Sequence, residues 1–282
     1  MTILVTGATG QFGGLAVRHL LDRVPAADLA VSVRDAGKAA DLADRGVDVR
    51  QGDFSEPDTL RFAGADTLLL VSTNGPDEIR VGQQNAAVDA AVRAGVSRIV
   101  YTSVSNAAIS PLGLAKVHAA TEAHIKASGV SYTFLRNAMY HENYLGSLPQ
   151  AVESGTYVTA AGTGRVASAS RDDFALAAAI VASSEGHEGA VYELTGSRAW
   201  SFDELAEIAS DVAGKPVKHV SVPSEDYLAN LLAADLPKFL AELFTDIQVN
   251  IGRGTLSEVR SDLGKLIGRE PTTIEDAVRA AL

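Results

Sequence analysis

The chain has no cysteine among its 282 residues. That excludes disulfide frameworks, thiolate nucleophiles and Cys-ligated metal centres. Aromatic residues make up only 6% of the chain, with one tryptophan, so a core must come mainly from Ala, Val, Leu and Ile. No apolar run approaches the ~20 residues that span a bilayer. Basic runs are also missing: 24 Lys and Arg stand against 35 Asp and Glu, for a net charge of −11. Nucleic-acid binders carry a basic patch or stripe, and an acidic surface is repelled by anionic lipid. The expectation is therefore no nucleic-acid partner and no membrane partner. No His, Asp or Glu set has metal-ligand spacing, and no metal is expected. The first strand starts at residue 3 with no leader pattern before it, which points to a cytoplasmic protein.

What is present begins with "LVTGATGQFGGLAVRHLL", Leu4 to Leu21. Glycines at 7, 10 and 13 separate a short apolar run from a helical pattern. Strand, glycine turn and helix in that order are the context of a dinucleotide-binding fingerprint. Gly7 permits the sharp turn, Gly10 lets a pyrophosphate approach the backbone, and Gly13 permits close helix packing. The helix start then offers free N–H groups and a positive dipole end to phosphates.

The first half alternates strand patterns (28–33, 47–51, 66–72, 97–103, 131–136) with helical ones (14–23, 37–45, 57–63, 76–94, 112–127). Crossover units of this kind imply a parallel sheet. In the second half, a helix opens at Asp172 and Asp173, and strands read at 190–196 and 215–223. Ser201 and Glu204 form a capping box. The expected fold is α/β: a Rossmann-type doubly wound parallel sheet with a smaller C-terminal α/β substrate lobe. Residues 1–137 form the NAD(P)-binding portion. Residues 138–282 form the smaller lobe, interleaved with the first rather than independent.

The second strand ends at Val33. An acidic residue there would hold the adenosine ribose hydroxyls of NADH. This chain has Arg34 instead, with Lys38 a turn later. A guanidinium fork suits a 2′-phosphate, so NADPH is the expected cofactor. The plainer alternative makes Arg34 a solvated loop residue. Asp35 could cap the next helix.

Many nicotinamide-dependent reductases on this fold place Tyr and Lys at i and i+4, on one helix face. The segment "SPLGLAKVHAATEAHIKASG", Ser110 to Gly129, has no tyrosine. Counting back from Glu122 puts His118 and Leu114 at the two positions. Reducing a simple ketone makes an alkoxide that needs a positioned acid. Reducing a quinone makes a phenolate-like anion whose conjugate acid has a pKa of roughly 10, and water can protonate it. The loss therefore argues for an easily reduced acceptor, or for a cofactor binder without turnover. His118 is the one catalytic candidate, and its i+4 Glu122 makes a plain surface pair an equal reading.

Several stretches together resemble the bacterial type-2 NAD(P)H:quinone oxidoreductases, of the NmrA-like group of atypical short-chain dehydrogenases. They are "TGATGQFGGLAVRHLL", "VRDAGKA", "YTSVSNAAISPLGLAKVHAATE", "FLRNAMYHENYL", "GRVASASRDDFALAAA", "EGHEGAVYELTGSRAWSFDELA" and "LGKLIGREPTTIEDAV". The resemblance implies direct reduction of a quinone by NADPH without flavin. By motif position, Gly7, Thr9, Gly10, Gln11, Phe12 and Gly13 would line the pyrophosphate, and Arg34 with Lys38 would meet the 2′-phosphate. Ser72, Thr73 and Asn74 would pass near the nicotinamide-side ribose, with Asn137 and Arg171 as further cofactor contacts. Tyr140, Asn143 and Tyr144 would face the acceptor, although Tyr140 and Tyr144 could equally be a packed pair on a helix. Arg171 could instead interact with Asp172 or Asp173, and Asp53 could sit by the adenine or cap a turn. The segment "TNGPDEIR" (73–80) departs from the Ser-rich family version, and 224–256 matches loosely, as a pocket mouth would. Reduction of a conjugated dye, triphenylmethane or azo, and a non-turning NADP(H) sensor stay open as alternatives. A homodimer is compatible with the sequence, but no isolated apolar stripe demands one.

Overall fold

The computed structural model describes residues 1–282. The chain runs β1 (Ile3–Thr6), α1 (Gln11–Leu21), β2 (Leu29–Val33), α2 (Ala40–Asp44), β3 (Asp48–Gln51), β4 (Thr67–Leu70), α3 (Asp77–Arg93) and β5 (Arg98–Val104). Next come α4 (Ala115–Ala127), β6 (Ser131–Asn137), α5 (Glu142–Leu145), α6 (Leu148–Ser154), β7 (Thr156–Thr159), β8 (Arg165–Val166), α7 (Arg171–Ser183) and β9 (Val191–Leu194). The last stretch holds β10 (Trp200–Ser201), α8 (Phe202–Ala213), β11 (Lys218–Ser221), α9 (Ser224–Ala233), α10 (Lys238–Gly252), α11 (Asp262–Ile267) and α12 (Ile274–Ala281). Two compact units result. The first comprises Met1–Ala108, Lys116–Asn137 and Asp172–Glu193; the second comprises Ile109–Ala115, Ala138–Arg171 and Leu194–Leu282.

The first unit is built on a seven-stranded sheet in the order β3-β2-β1-β4-β5-β6-β9. The pairing is parallel, with Leu4 opposite both Ala30 and Leu68, and Val100 opposite both Leu69 and Thr133. β9 continues it, because Phe134 N–H donates to Ala190 O at 3.0 Å and Ala138 N–H to Leu194 O at 2.8 Å. Every residue of β1, β2, β4 and β5 is buried. Covered on both faces, such strands read as continuous apolar runs rather than alternations. Leu68, Leu70, Ile99, Tyr101 and Phe134 pack with Ala87, Val88 and Ala91 of α3 and Ile125 of α4. Each large side chain buried this way stabilises by about 1.5–3 kcal/mol. The strand order reverses between β1 and β4, the switch point where open α/β sheets bind ligands.

α3 matches its sequence signals: Pro76 is the N-cap, Asp77 and Glu78 lie in the first turn, and Gly95 follows at φ +77°. The helix expected at 57–63 is instead a single 3-10 turn, Pro57–Thr59. Thr59 Oγ1 donates to Glu56 O at 2.7 Å and accepts Asp53 N–H at 2.8 Å. Arg50 takes the carbonyls of Arg61 and Ala63 at 3.0 and 2.9 Å. Those side chains offer the backbone an alternative to helical bonding. The helix expected at 37–45 likewise divides into a 3-10 turn, Ala36–Ala39, and the short α2.

The second unit holds two small sheets, β7 with β11 (parallel) and β8 with β10 (antiparallel). The Ser201–Glu204 capping box forms in full at the start of α8. Tyr144, Tyr157, Trp200 and Phe202 make an aromatic cluster, with Trp200 fully buried. No helix of the chain is long and apolar enough to cross a membrane.

Candidate active site

The glycine turn closes at the C-terminal end of β1. Gly7 has φ +63°, a left-handed conformation that favours glycine. Gly10 N–H donates to Gly7 O at 2.9 Å. A Cβ on Gly13 would lie 2.2 Å from Gly7 O, so this glycine is required by the turn's own backbone. α1 then starts with no side-chain cap and no acidic residue in its first turn. Its leading N–H groups and positive dipole end are left for an anion. Thr9, Gly10 and Gln11 are exposed there, whereas the Phe12 ring is buried, which limits Phe12 to a backbone contribution.

At the end of β2, Arg34 and Lys38 are exposed and form no ion pair. Asp35 is otherwise engaged, because its carboxylate accepts Gly37 N–H at 3.0 Å and caps the 3-10 turn. The strand end thus presents two free cations, and its one carboxylate is used locally. Asp53 is also used locally, capping Ser55 N–H at 2.8 Å.

Beyond β4, three neighbours pin the backbone. Val71 N–H donates to Thr6 Oγ1 at 2.9 Å, Ser72 N–H to Thr102 Oγ1 at 2.8 Å, and Thr73 N–H to Gln84 Oε1 at 3.3 Å. Gln84 belongs to a buried polar chain that the sequence did not disclose. Arg80 approaches His118 Nε2 at 3.5 Å, and His118 Nδ1 lies 2.9 Å from the Tyr101 hydroxyl. Tyr101 O–H donates to Gln84 Oε1 at 3.2 Å, and Gln84 Nε2 donates to Thr121 Oγ1 at 3.1 Å. Arginine only donates, so Nε2 must accept and Nδ1 must carry the proton. Burial and then the Arg80 charge lower the His118 pKa to about 3. Burial holds the Tyr101 phenol above its ordinary range.

This corrects the expectation of a catalytic His118. The ring is 5% exposed, neutral, and bonded at both nitrogens within its own unit. Its part is to hold Tyr101 and, through Gln84, the backbone at Thr73. Nor does it pair with Glu122, which accepts from Ser103 at 2.7 Å and from Arg136 at 2.6 and 2.8 Å. Arg136 also reaches Glu193 at 3.0 Å, and these bonds, Glu122 first, raise its pKa. Next in sequence, Asn137 is buried with neither side-chain amide atom partnered, and Thr73 Oγ1 is equally unpartnered.

In the second unit, Arg171 stacks its guanidinium 4.9 Å from the Tyr140 ring centre. The Arg171 backbone N–H is held by Glu142 at 3.1 Å. No ion pair joins Arg171 to Asp172, whose carboxylate is taken by Arg18 and His19. A cavity of about 690 Å³ is lined by Asn143, Tyr144, Tyr157, Tyr227, Phe244 and Gln248, among others. The structure thus brings Asn143 and Tyr144 together on one cavity and leaves Tyr140 off it. Tyr140 and Tyr144 are not a packed pair: Tyr144 meets Trp200 and Phe202 edge-on at 5.2 and 5.6 Å. Tyr227 and Gln248 lie in the loosely patterned 224–256 region, where the only sequence signal was its position.

The model of the NmrA-like family matches residues 1–276. The chain belongs to that family. Among curated relatives of this NmrA-like chain, quinone oxidoreductase 2 of Escherichia coli is 42% identical, covering 98% of this chain and 97% of the relative. Triphenylmethane reductase of a Citrobacter species, solved with NADP(H), superposes with a TM-score of 0.96 at 44% identity over 100% of both chains. The NADPH complex of the Escherichia coli quinone oxidoreductase gives 0.96 at 42% identity over 99% of each chain. The NmrA-like chain also fits the cofactor on its own terms. It has a glycine cradle at an uncapped helix start, two free cations at the end of β2, and orphaned polar atoms on Thr73 and Asn137.

Proposed function

We propose that this NmrA-like protein is an NADPH-dependent quinone reductase. The full-length likeness to quinone oxidoreductase 2, at 42% identity, carries this reading. Gly7, Thr9, Gly10, Gln11 and Gly13, with the Phe12 backbone, hold the pyrophosphate. Arg34 and Lys38 hold the 2′-phosphate. Ser72, Thr73, Asn74 and Asn137 serve the nicotinamide half, with Arg171 as an outer contact. Tyr140, Asn143 and Tyr144 serve the acceptor. When bound, NADPH supplies the hydride; the acceptor gains two electrons and one proton with it, and water supplies the second proton. What the chain contributes is proximity and orientation. Arg80, His118, Tyr101 and Gln84 fix the loop at Thr73, and no side chain is required as an acid. The acceptor is a small molecule, and the acidic surface supports a cytoplasmic setting without nucleic-acid or lipid partners.

The likeness to triphenylmethane reductase, at 44% identity, favours a second reading in which conjugated dyes are also accepted. The test is absorbance at the nicotinamide band with excess benzoquinone, NADPH and NADH in parallel, and an enzyme-free control. Sustained turnover, faster with NADPH, is the expected outcome. Saturable NADPH binding without turnover on quinones or a triphenylmethane dye would overturn both readings.

A further inference from the structure

Two side chains on the second unit's cavity end in polar atoms that have no partner. They are Tyr144 Oη and Gln248 Oε1, on residues 3% and 6% exposed. Neither group is free to turn away. Trp200 and Phe202 clamp the Tyr144 ring edge-on, and the Tyr144 carbonyl accepts the Tyr157 hydroxyl at 2.9 Å. Gln248 sits in α10 between buried Ile247 and Ile251. The rest of the wall is largely apolar, with Leu231, Leu236, Phe244 and Ile247. Buried polar groups are nearly always satisfied, and a specific exception asks for an explanation. A roomy apolar cavity with a few convergent polar groups is the usual form of a small-molecule site.

Resting on the quinone-reductase reading, we propose that this cavity takes the acceptor ring and that Tyr144 and Gln248 recognise its oxygen atoms. Tyr144 O–H donates to a carbonyl oxygen of the oxidised ring. Gln248 Oε1 accepts the O–H that the ring carries once reduced. The oxidised ring has acceptors only. Hydride from NADPH and a proton from water turn its two carbonyls into two hydroxyls, and NADPH leaves as NADP⁺. The pair therefore selects flat acceptors bearing ring oxygens and holds the quinol in preference to the quinone. Hydrocarbon-like dyes lacking such oxygens gain nothing from it.

The test compares wild type with Tyr144→Phe and Gln248→Met, using 2-methyl-1,4-naphthoquinone. Both substitutions delete an unsatisfied buried group, which is neutral or stabilising for the fold. The expected signature is an unchanged or raised Tm, an acceptor KM raised about 5–20-fold and an unchanged NADPH Kd; a single lost hydrogen bond accounts for about that factor. Binding is also read without turnover, by quinone quenching of Trp200, the one tryptophan, whose ring lies 5.2 Å from Tyr144. Saturable quenching in wild type, weakened in both variants, supports the proposal. A lowered Tm with unchanged KM means the two groups are satisfied structurally and overturns it. Unchanged KM with unchanged Tm, or no saturable quenching, overturns it as well. Absence of wild-type turnover on any quinone, with quenching intact, removes the reductase reading but leaves the binding site.

Discussion

Arg80 and His118 face each other at 3.5 Å, and this pairing dictates the tautomer of the imidazole. A guanidinium has no lone pair to offer. His118 must therefore accept at Nε2 and donate from Nδ1 to the Tyr101 oxygen 2.9 Å away.

The same pairing makes stability depend on pH. Unfolded, the imidazole takes a proton below about 6.5; folded, it takes none until about 3. Between those values the unfolded state binds more protons, so this contribution is complete above pH 6.5 and is lost as pH falls towards 3. The whole shift corresponds to about 5 kcal/mol. Urea denaturation of wild type and His118→Gln at several pH values measures it. The variant is expected to have the flatter profile across that window. Parallel profiles would contradict the assignment.

Tyr101→Phe removes the acceptor for His118 Nδ1–H and one donor to Gln84. A loss of about 1–3 kcal/mol follows from leaving a buried donor unpaired. Because Gln84 also holds Thr73 N–H, NADPH affinity should weaken as well, by calorimetry. An unaltered Kd would separate the polar chain from the cofactor loop.

Arg34→Ala tests the cofactor choice. Losing a charge-assisted contact costs about 1.5–3 kcal/mol. The KM for NADPH should rise about 10–100-fold, while that for NADH stays level. Lys38→Ala should act in the same direction more weakly. Equal losses with both nicotinamides would sink the 2′-phosphate role.

Gly13→Ala puts a methyl 2.2 Å from Gly7 O, whereas at Gly14 the nearest atom is Ala8 O at 3.3 Å. Overpacking of this kind costs about 1–3 kcal/mol, and it displaces the phosphate-facing turn. The Gly13 variant should lose stability and NADPH binding, with the Gly14 variant much closer to wild type. Thermal melts with and without NADPH distinguish them.

Arg136→Leu strands two carboxylates, one of them the buried Glu122. Removing one member of a buried ion pair typically costs about 3–5 kcal/mol. Chemical denaturation would register it, and a loss below 1 kcal/mol would show that the network contributes little.

Much of the fold was legible in the chain because its signals are local. The glycine turn, the capping box at Ser201 and Glu204, and the start and stop of α3 each act within a few residues. Both-faces burial makes β4 and β5 read as unbroken apolar runs. The failure at 57–63 has the opposite origin. Arg50, a residue of β3, captures the carbonyls of Arg61 and Ala63 from outside the segment, and no periodicity within 57–63 carries that information.

The candidate site divides along the same line. By itself the sequence determined the dinucleotide turn, the cation after the second strand and the lack of a Tyr-x-x-x-Lys pair, because each is a matter of residue type at fixed spacing. Only the tertiary structure decided what His118 does. Its helical neighbour Glu122 is committed to Arg136 of β6, while its own partners come from α3 and β5, 38 and 17 residues away. Likewise Tyr144 and Gln248, more than a hundred residues apart in sequence, share one cavity wall. Side-chain partnership depends on which elements fold together, and that long-range proximity is set by packing, not by any local pattern.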